Sequence, residues 1–283
     1  MTRLHVAWLP DGKRLHLHNG PLNLIIQAFG RPAEIGRAYD AGIERARTLV
    51  LELVQDLPLL QGGAAPQTPV GQRAVDACAQ VPGALGPVTA LSGAVADEVL
   101  AAMTRGGELD RGFVNNHGAV AFHLAEGESM TPNSMDWPEF ARYEAKVPIH
   151  SALRTRGMAA AGWRFDGLAL GWVDRIYTAA PSSAVAEAAL GSIASRMVPA
   201  TSAEAVPACS VRPHAVLGEL PVYTPRQHIS ADEAAVILAP GHAVAEALFA
   251  SGAITLALMG LEDTYSLVGP PYLSLRSMLS LEA

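Results

Sequence analysis

Hydrophobic and polar positions alternate along the first thirty residues, which is the pattern of half-buried β-strands. Apolar stretches at 4–8, 14–18 and 21–28 are separated by Pro10-Asp-Gly12 and by the hairpin dipeptide Asn19-Gly20. Turn residues between alternating stretches indicate β-hairpins. We therefore predict three antiparallel strands at the start of the chain.

The pattern then changes to the period of an amphipathic helix. Apolar residues recur at steps of three and four from 33 to 57, and Pro58 is predicted to end this helix. Further helices are predicted at 71–80, 89–104 and 182–197. Ser230-Ala-Asp-Glu233 is a capping box that opens another helix, which we expect Pro240-Gly241 to divide.

Short apolar stretches in the second half of the chain predict further strands. They are a pair at 112–124 and single strands at 146–151, 157–161, 166–171, 173–178 and 254–259. Hairpins and helices do not alternate in a strict βαβ order, so we predict the α+β class, with a largely antiparallel sheet and helices on one side. Residues 1–283 are expected to form one domain, with a flexible loop at 61–70 and an insertion at 127–145 that could act as a lid.

Composition and charge exclude several classes of protein. Half of the 283 residues are hydrophobic and 17% are charged, which is typical of a compact globular protein. The net charge of −7 argues against nucleic acid as a partner, because phosphate binding needs a basic face. No apolar run reaches about 18 residues and no signal peptide is recognisable, so we expect no membrane span and a cytoplasmic location.

The segment Asn115-Asn116-His117-Gly118 joins the predicted strand pair and carries the strongest candidate chemistry. An imidazole titrates near neutrality and suits proton transfer. The two amides could orient it or bind a carbonyl oxygen. The alternative is a polar hairpin turn that hydrogen-bonds its own backbone.

A second candidate group follows the strand predicted at 157–161. In Gly162-Trp163-Arg164 the indole could stack on a flat ring while the guanidinium binds a carboxylate or phosphate. Otherwise Trp163 is a core residue and Arg164 a surface charge. Asp174 interrupts an apolar stretch, so it needs a partner such as Arg175 or a backbone N–H, or else it belongs to a site.

Two weaker candidates are His150 and Ser92. His150 could be a second acid/base group, although a hydrogen-bonded histidine at a strand end is the alternative. Ser92 lies near the start of a predicted helix, where N–H groups bind anions, but small residues there also permit tight helix packing. The sequence contains no recognisable metal-binding motif, so no metal site is predicted.

Several of these segments resemble the ApbE-like superfamily, whose better-known members are FAD:protein FMN transferases. The resembling segments are 9–17, 20–27, 88–97, 113–118 and 156–164, and the resemblance covers most of residues 10–200. The resemblance implies an α+β fold in which two related halves form one cleft. It also implies a flavin ligand, FAD or FMN, and a homodimer.

The resemblance implies magnesium as well, because an Ala-Asp-Ala…Thr motif supplies its ligands in the flavin transferases. The matching stretch here has Glu187 at the Asp position and Gly191 at the Thr position. Without that set of oxygens a hard cation is poorly held. The family's Asn-Gly-Gly-Asp motif is likewise replaced by the segment that contains His117.

Our leading hypothesis is therefore a cofactor-independent small-molecule enzyme on an ApbE-like fold. It would act by hydrolysis, ring opening or isomerisation on a flat ring that is anionic or bears a carbonyl. The predicted catalytic residues are His117, Asn115, Asn116 and Asp174, and the predicted binding residues are Trp163, Arg164, Gly118, Gly162, Ser92 and His150. The alternatives are a flavin-binding or flavin-transferring protein and a non-catalytic subunit of a larger complex.

Overall fold

The computed structural model describes residues 4–20, 22–131, 148–166, 169–199, 205–212, 216–224 and 228–273. The strands are β1 His5–Trp8, β2 Leu15–Asn19, β3 Leu22–Gly30, β4 Leu109–Asn116, β5 Ala119–Leu124, β6 Ser129–Met130, β7 Ile149–His150, β8 Gly157–Ala161, β9 Arg175–Ala180, β10 Val206–Pro207, β11 Pro221–Val222, β12 Leu256–Leu261 and β13 Thr264–Val268. The helices are α1 Pro32–Gln61, α2 Pro69–Ala79, α3 Leu91–Gly106, α4 Trp163–Asp166, α5 Ser183–Ala194, α6 Ala208–Val211 and α7 Ala231–Ser251, and a 3₁₀ turn at Pro87–Ala90 precedes α3.

Nine of these strands form one antiparallel sheet in the order β1-β2-β3-β4-β5-β8-β9-β12-β13. The chain twice makes a hairpin, then helices, then a second hairpin: β2–β3 precede β4–β5, and β8–β9 precede β12–β13. The two sets join where β5 pairs with β8, with Ala119 opposite Ala159 and Ala121 opposite Gly157. This sheet confirms the predicted α+β class.

Alternation along the strands divides the side chains between the two faces of the sheet. One face, which includes Leu24, Val114 and Ile176, packs with the long helices in the main core. The other face carries a smaller core that includes Phe113 and Met158 and to which none of the long helices in the described residues contributes. The long helices that the structure describes therefore lie on one side of the sheet, as predicted, whereas the short helix α4 contributes Phe165 to the smaller core on the other face.

Two helices differ from the prediction because each contains a proline. The helix α1 continues through Pro58, and α7 is continuous through Pro240 instead of being divided. A proline removes one backbone donor, while the neighbouring hydrogen bonds of the helix remain. In α7 the exposed Pro240 is followed by the buried Gly241, whose backbone lies close against Met197. Packing of this kind keeps the helix together.

The prediction of a strand at 166–171 was wrong. Among the described residues of this segment, Asp166 belongs to the short helix α4 and Ala169 makes an isolated bridge with Tyr223, while residues 167–168 lie outside the described part of the chain. The strand predicted at 254–259 is present as β12. Its partner β13 was not predicted, because most of its side chains are half-exposed and give no clear alternation.

Three other predictions concern loops and a membrane span. The loop predicted at 61–70 is shorter, because α1 ends at Gln61 and α2 begins at Pro69, and its flexibility stays a prediction. Most of the lid predicted at 127–145 lies outside the described residues. Among the described helices, α7 is long and apolar enough to cross a membrane by length and composition, with 33% of its apolar window buried. This is weak evidence, because a core helix passes the same test.

Candidate functional site

Several turns meet at one end of the large sheet, which we call the turn end. These turns are at 19–20, 117–118, 162–164 and 262–263. The strand register brings them together, because Leu24 lies opposite Asn116 and Ala161 lies opposite Ile176. The carbonyl of Gly118 also accepts a hydrogen bond from the Ala160 N–H at 3.0 Å, which ties the β4–β5 turn to β8.

The β4–β5 turn holds the residue that the sequence singled out first. His117 and Gly118 form a two-residue turn with positive φ angles of 50° and 88°. The Oδ1 of Asn115 accepts a hydrogen bond from the Gly118 N–H at 3.0 Å, so this amide closes the turn. The side chain of His117 is exposed, and the residue does not line either cavity described below. Its role as an acid/base group stays a prediction.

Asn116 is buried beside the start of α3. Its Nδ2 donates to the Ser92 carbonyl at 3.1 Å, whereas its Oδ1 is buried and has no hydrogen-bond partner in the described part of the chain. The Oδ1 of Asn19 is in the same situation on β2. A buried acceptor without a donor costs about 1–3 kcal/mol, so both oxygens are places where a ligand N–H or O–H would be favourable.

A cavity of about 490 Å³ lies beside Asn116 and Ser92, and we call it the helix-start cavity. Its walls are mostly apolar and come from β3, α1, α3 and the segment at 216. The apolar lining residues are Leu22, Leu53, Val54, Leu57, Leu91, Val95 and Val216. Apolar walls with a few polar groups at one end are typical of small-molecule sites.

Two carboxylates cap two helices reciprocally behind this cavity. Glu187 of α5 accepts a hydrogen bond from the Gly93 N–H at 2.7 Å, at the start of α3. Asp97 of α3 accepts hydrogen bonds from Ser183 and Ala184 N–H at 3.1 and 3.0 Å, at the start of α5. Each carboxylate therefore lies at the positive end of the other helix. We call this pair the reciprocal cap.

Burial shifts the acidity of both carboxyl groups in the reciprocal cap. Removal of water is the largest influence on Glu187 and raises its pKa to about 7, although hydrogen bonds from Gly93 and Ser92 oppose the rise. Burial likewise raises the pKa of Asp97 to about 6 against the opposing N–H groups of α5. Both groups therefore hold a proton at higher pH than ordinary side-chain carboxyls do.

The residues present do not fit the magnesium site that the family resemblance implied. The carboxylates of Asp97 and Glu187 are oriented toward the backbone N–H groups of the two helix starts, and Gly191 supplies no hydroxyl at the position of the family's Thr ligand. In the part of the chain that the structure describes, no group of three or more His, Cys, Asp or Glu residues is placed to hold a metal ion.

The second predicted group also lies at the turn end. Gly162 has a φ of 127°, and a Cβ there would come within 2.5 Å of the Asp174 carbonyl, so the position requires glycine. Asp174 Oδ2 accepts a hydrogen bond from the Glu262 N–H at 2.8 Å and lies 3.9 Å from Arg164 Nε. Partial burial raises the pKa of Asp174, and the Glu262 N–H opposes the rise. The Asp174 carboxylate therefore has a backbone N–H partner, which is one of the two interpretations that the sequence allowed.

Trp163 is engaged within the protein at the same junction. Its indole N–H donates to the Tyr223 carbonyl at 2.9 Å, and its ring meets Trp172 edge to face at 5.8 Å. These contacts match the reading of Trp163 as a packed residue, and stacking on a ligand stays a prediction. The structure separates His150 from the other candidates, because it lies on β7, which pairs with β6 outside the large sheet.

The sequence reading missed the reciprocal cap. Asp97 and Glu98 are both engaged within the protein: Asp97 caps α5, and the buried Glu98 pairs with Arg45 and Arg73. A signal was present in the near-repeat of Ser92-Gly-Ala-Val-Ala-Asp97 and Ser182-Ser-Ala-Val-Ala-Glu187. Such a near-repeat indicates two helix starts of the same construction, each with an acid that can interact with a helix N-terminus.

The antiparallel sheet, the helices on one face and the helix-start cavity define an α+β protein with a small-molecule type of cavity. A family model described as AbpE bacteria matches residues 6–267. The chain therefore belongs to this family, which confirms the ApbE-like resemblance.

Comparison with solved structures finds a mutant of the flavin transferase ApbE from Vibrio cholerae, with 13% sequence identity and a TM-score of 0.35 over 98% of this chain and 100% of that chain. It also finds the flavin transferase ApbE from Vibrio cholerae, with 12% identity and a TM-score of 0.34 over 95% of this chain and 97% of that chain. At these TM-scores the likeness assigns no ligand and no residue role. No curated protein matches the chain.

Proposed function

We propose that this protein binds a flavin in the helix-start cavity. Membership in an ApbE-like family supports a flavin as the ligand. The cavity supports a flat, largely apolar ring system, because aliphatic side chains form most of its wall. The single observation that carries the proposal is the unpartnered, buried Oδ1 of Asn116.

The orientation of the Asn116 amide determines which ligand group it can receive. The carbonyl of Ser92 can only accept, so the side-chain NH₂ of Asn116 must face it. The oxygen is thereby left as the group without a partner. A flavin ring offers an imide N–H, which is a donor of the required kind. Since Oδ1 is closed to water, a bound ring must shift a neighbouring side chain to reach it.

The proposal is flavin binding and does not include magnesium-dependent flavin transfer. Gly191 stands at the position of the family's Thr ligand, so the hydroxyl oxygen of the magnesium set is missing, and Glu187 and Asp97 are directed at helix N–H groups. Flavin binding is accordingly expected to be the same with added magnesium and with a chelator.

Two surface variants of α1 test the location of the site. Val54 is 67% exposed and lines the cavity, whereas Leu51 is 52% exposed on the same helix and does not line it. Val54→Trp is expected to weaken binding of FAD or FMN by about tenfold or more by filling the mouth of the cavity, and Leu51→Trp should bind like the wild type. The measurement is quenching of flavin fluorescence on titration with the full-length chain.

A third variant tests the observation that carries the proposal. Asn116→Ala removes the unpaired acceptor and is expected to weaken flavin binding, with the melting temperature recorded to establish that the variant is folded. The proposal is overturned if the folded wild type quenches neither flavin. It is also overturned if Val54→Trp and Leu51→Trp bind flavin equally well.

A further inference from the structure

A second cavity, of about 430 Å³, lies at the opposite end of the sheet from the turn end. It is lined where β8 and β12 begin and β9 ends, and the register joins these strands through Met158, Ala179 and Leu256. Their side chains belong to the smaller core, on the face away from the long helices. This cavity is therefore separate from the helix-start cavity.

The walls of the second cavity are almost entirely apolar. Pro148, Ile149, Phe249, Ile254 and Leu273 contribute to it beside the strand residues. The hydroxyls of Thr155 and Thr255 hydrogen-bond to each other at 2.8 Å, one as donor and the other as acceptor, so they present little polar surface to the cavity. At the rim, Leu153 is 38% and Tyr272 is 66% exposed, which leaves apolar surface in contact with water.

Arg154 is the cationic residue in this lining. Its side chain is exposed, and its guanidinium makes no hydrogen bond or ion pair within the described residues. The neighbouring Arg156 differs, because its guanidinium donates to the carbonyls of Ser151, Leu153 and Thr155. One arginine thus supports the local fold, while the other is available at the rim of an apolar cavity.

We infer that this cavity binds an anionic amphiphile, a free long-chain carboxylate whose tail occupies the apolar interior and whose head pairs with Arg154. The volume lies within the range of small-molecule sites, about 300–1,000 Å³. Burial of each methylene group of the tail removes apolar surface from water, so affinity increases with the length of the tail. The guanidinium provides a charge-assisted, bidentate partner for the carboxylate.

The test uses the full-length chain and decanoate below its micelle concentration, with binding measured by isothermal titration calorimetry. Arg154→Met is expected to weaken decanoate binding by about tenfold, the size of a charged hydrogen bond. The matched control is Arg105→Met, which removes the same charge from an exposed position at the end of α3. It should bind decanoate like the wild type.

Two further measurements distinguish the contribution of the apolar tail to binding from that of the carboxylate head. Ala152→Trp places a large side chain at an exposed position of the lining and is expected to abolish binding. Hexanoate should bind at least about tenfold more weakly than decanoate, because its tail is shorter. The inference is overturned if the folded wild type does not bind decanoate, if Arg154→Met and Arg105→Met bind it equally, or if hexanoate binds as tightly as decanoate. None of these results depends on whether the protein binds flavin.

Discussion

The turn at His117 has a backbone that glycine or asparagine adopts more readily than histidine. A two-residue hairpin turn of type I′ requires positive φ at both central positions, and the usual sequences are Asn-Gly, Asp-Gly and Gly-Gly. His117 has a φ of 50°, and Asn115 closes the turn through its side chain. The hydrogen-bonded turn that the sequence offered as an alternative to catalysis is thus present. The backbone alone gives no reason for an imidazole at this position.

Replacement of His117 by glycine distinguishes a structural role of this residue in the turn from a functional role of its imidazole. We expect His117→Gly to change the free energy of unfolding by no more than about 1 kcal/mol, because relief of the positive φ offsets the greater freedom of glycine in the unfolded chain. Glu262→Gly is the matched control, since Glu262 has a φ of 51° in the β12–β13 turn. Urea unfolding measures both.

The contacts of the His117 side chain determine which result would contradict this prediction. If its contacts hold the turn together, His117→Gly will lose more than about 2 kcal/mol while Glu262→Gly does not, and the prediction is then wrong. A loss of activity or ligand binding without a loss of stability would instead support the functional role that the sequence analysis gave to this imidazole.

At the scale of elements, the local hydrophobic pattern was sufficient to predict a strand or helix where one of its faces is buried. The hairpin β2–β3 and the helices α1, α3 and α5 follow directly from alternation and helical period. Pattern failed where tertiary packing outweighs a local signal. Pro240 reads as a helix end, yet α7 continues because its other turns are packed against the protein. The half-exposed β13 gave no signal because its order comes from pairing with β12.

The reciprocal cap predicts a specific pH dependence at this scale. Both carboxyls have a higher pKa in the folded protein, about 6 for Asp97 and about 7 for Glu187, than the ordinary values of 3.8 and 4.5. The folded state therefore binds more protons than the unfolded state between these values. Their contribution to stability is fully present below about pH 4 and is lost as pH rises toward 7.

Replacement of either carboxyl group by a neutral amide should make the free energy of unfolding depend less on pH. Glu187→Gln and Asp97→Asn are each expected to reduce the fall of unfolding free energy between pH 4.5 and pH 7.5 by an amount on the order of 1–2 kcal/mol, because one pKa unit corresponds to about 1.4 kcal/mol. Urea unfolding across this range measures the change. The control is Glu108→Gln, whose side chain is 86% exposed. An unchanged slope in Glu187→Gln would contradict the role of burial.

At the scale of the whole molecule, the turn end depends on strand order. The pairing of β5 with β8 brings the turn at 117–118 beside the segment at 162–164, although more than forty residues separate them. Sequence analysis identified both groups from local composition. It could not place them at one end of a sheet, because strand order depends on non-local pairing that leaves no periodic signal.

The junction between β5 and β8 also determines how the molecule unfolds. Only three residue pairs join these strands, but the reciprocal cap connects α3 with α5 across the same junction. One core cluster contains residues from both sets of strands and helices. We therefore expect a single cooperative transition, with far-UV circular dichroism and tryptophan fluorescence changing together during urea unfolding.

Gly157 lies at this junction, and adding a single methyl group there should disturb both the strand pairing of β5 with β8 and the packing of α5. A Cβ there would lie 1.9 Å from the Ser183 backbone nitrogen, at the start of α5, and neither backbone can move without breaking the strand pairing or the cap. Gly157→Ala is expected to cost about 3 kcal/mol or more. Gly36→Ala is the control, because it lies in α1 with no atom within 4 Å of the added Cβ and should stabilise the protein slightly. If Gly157→Ala unfolds at the same urea concentration as the wild type, α5 is not held tightly against the start of β8, and the argument for one cooperative unit fails.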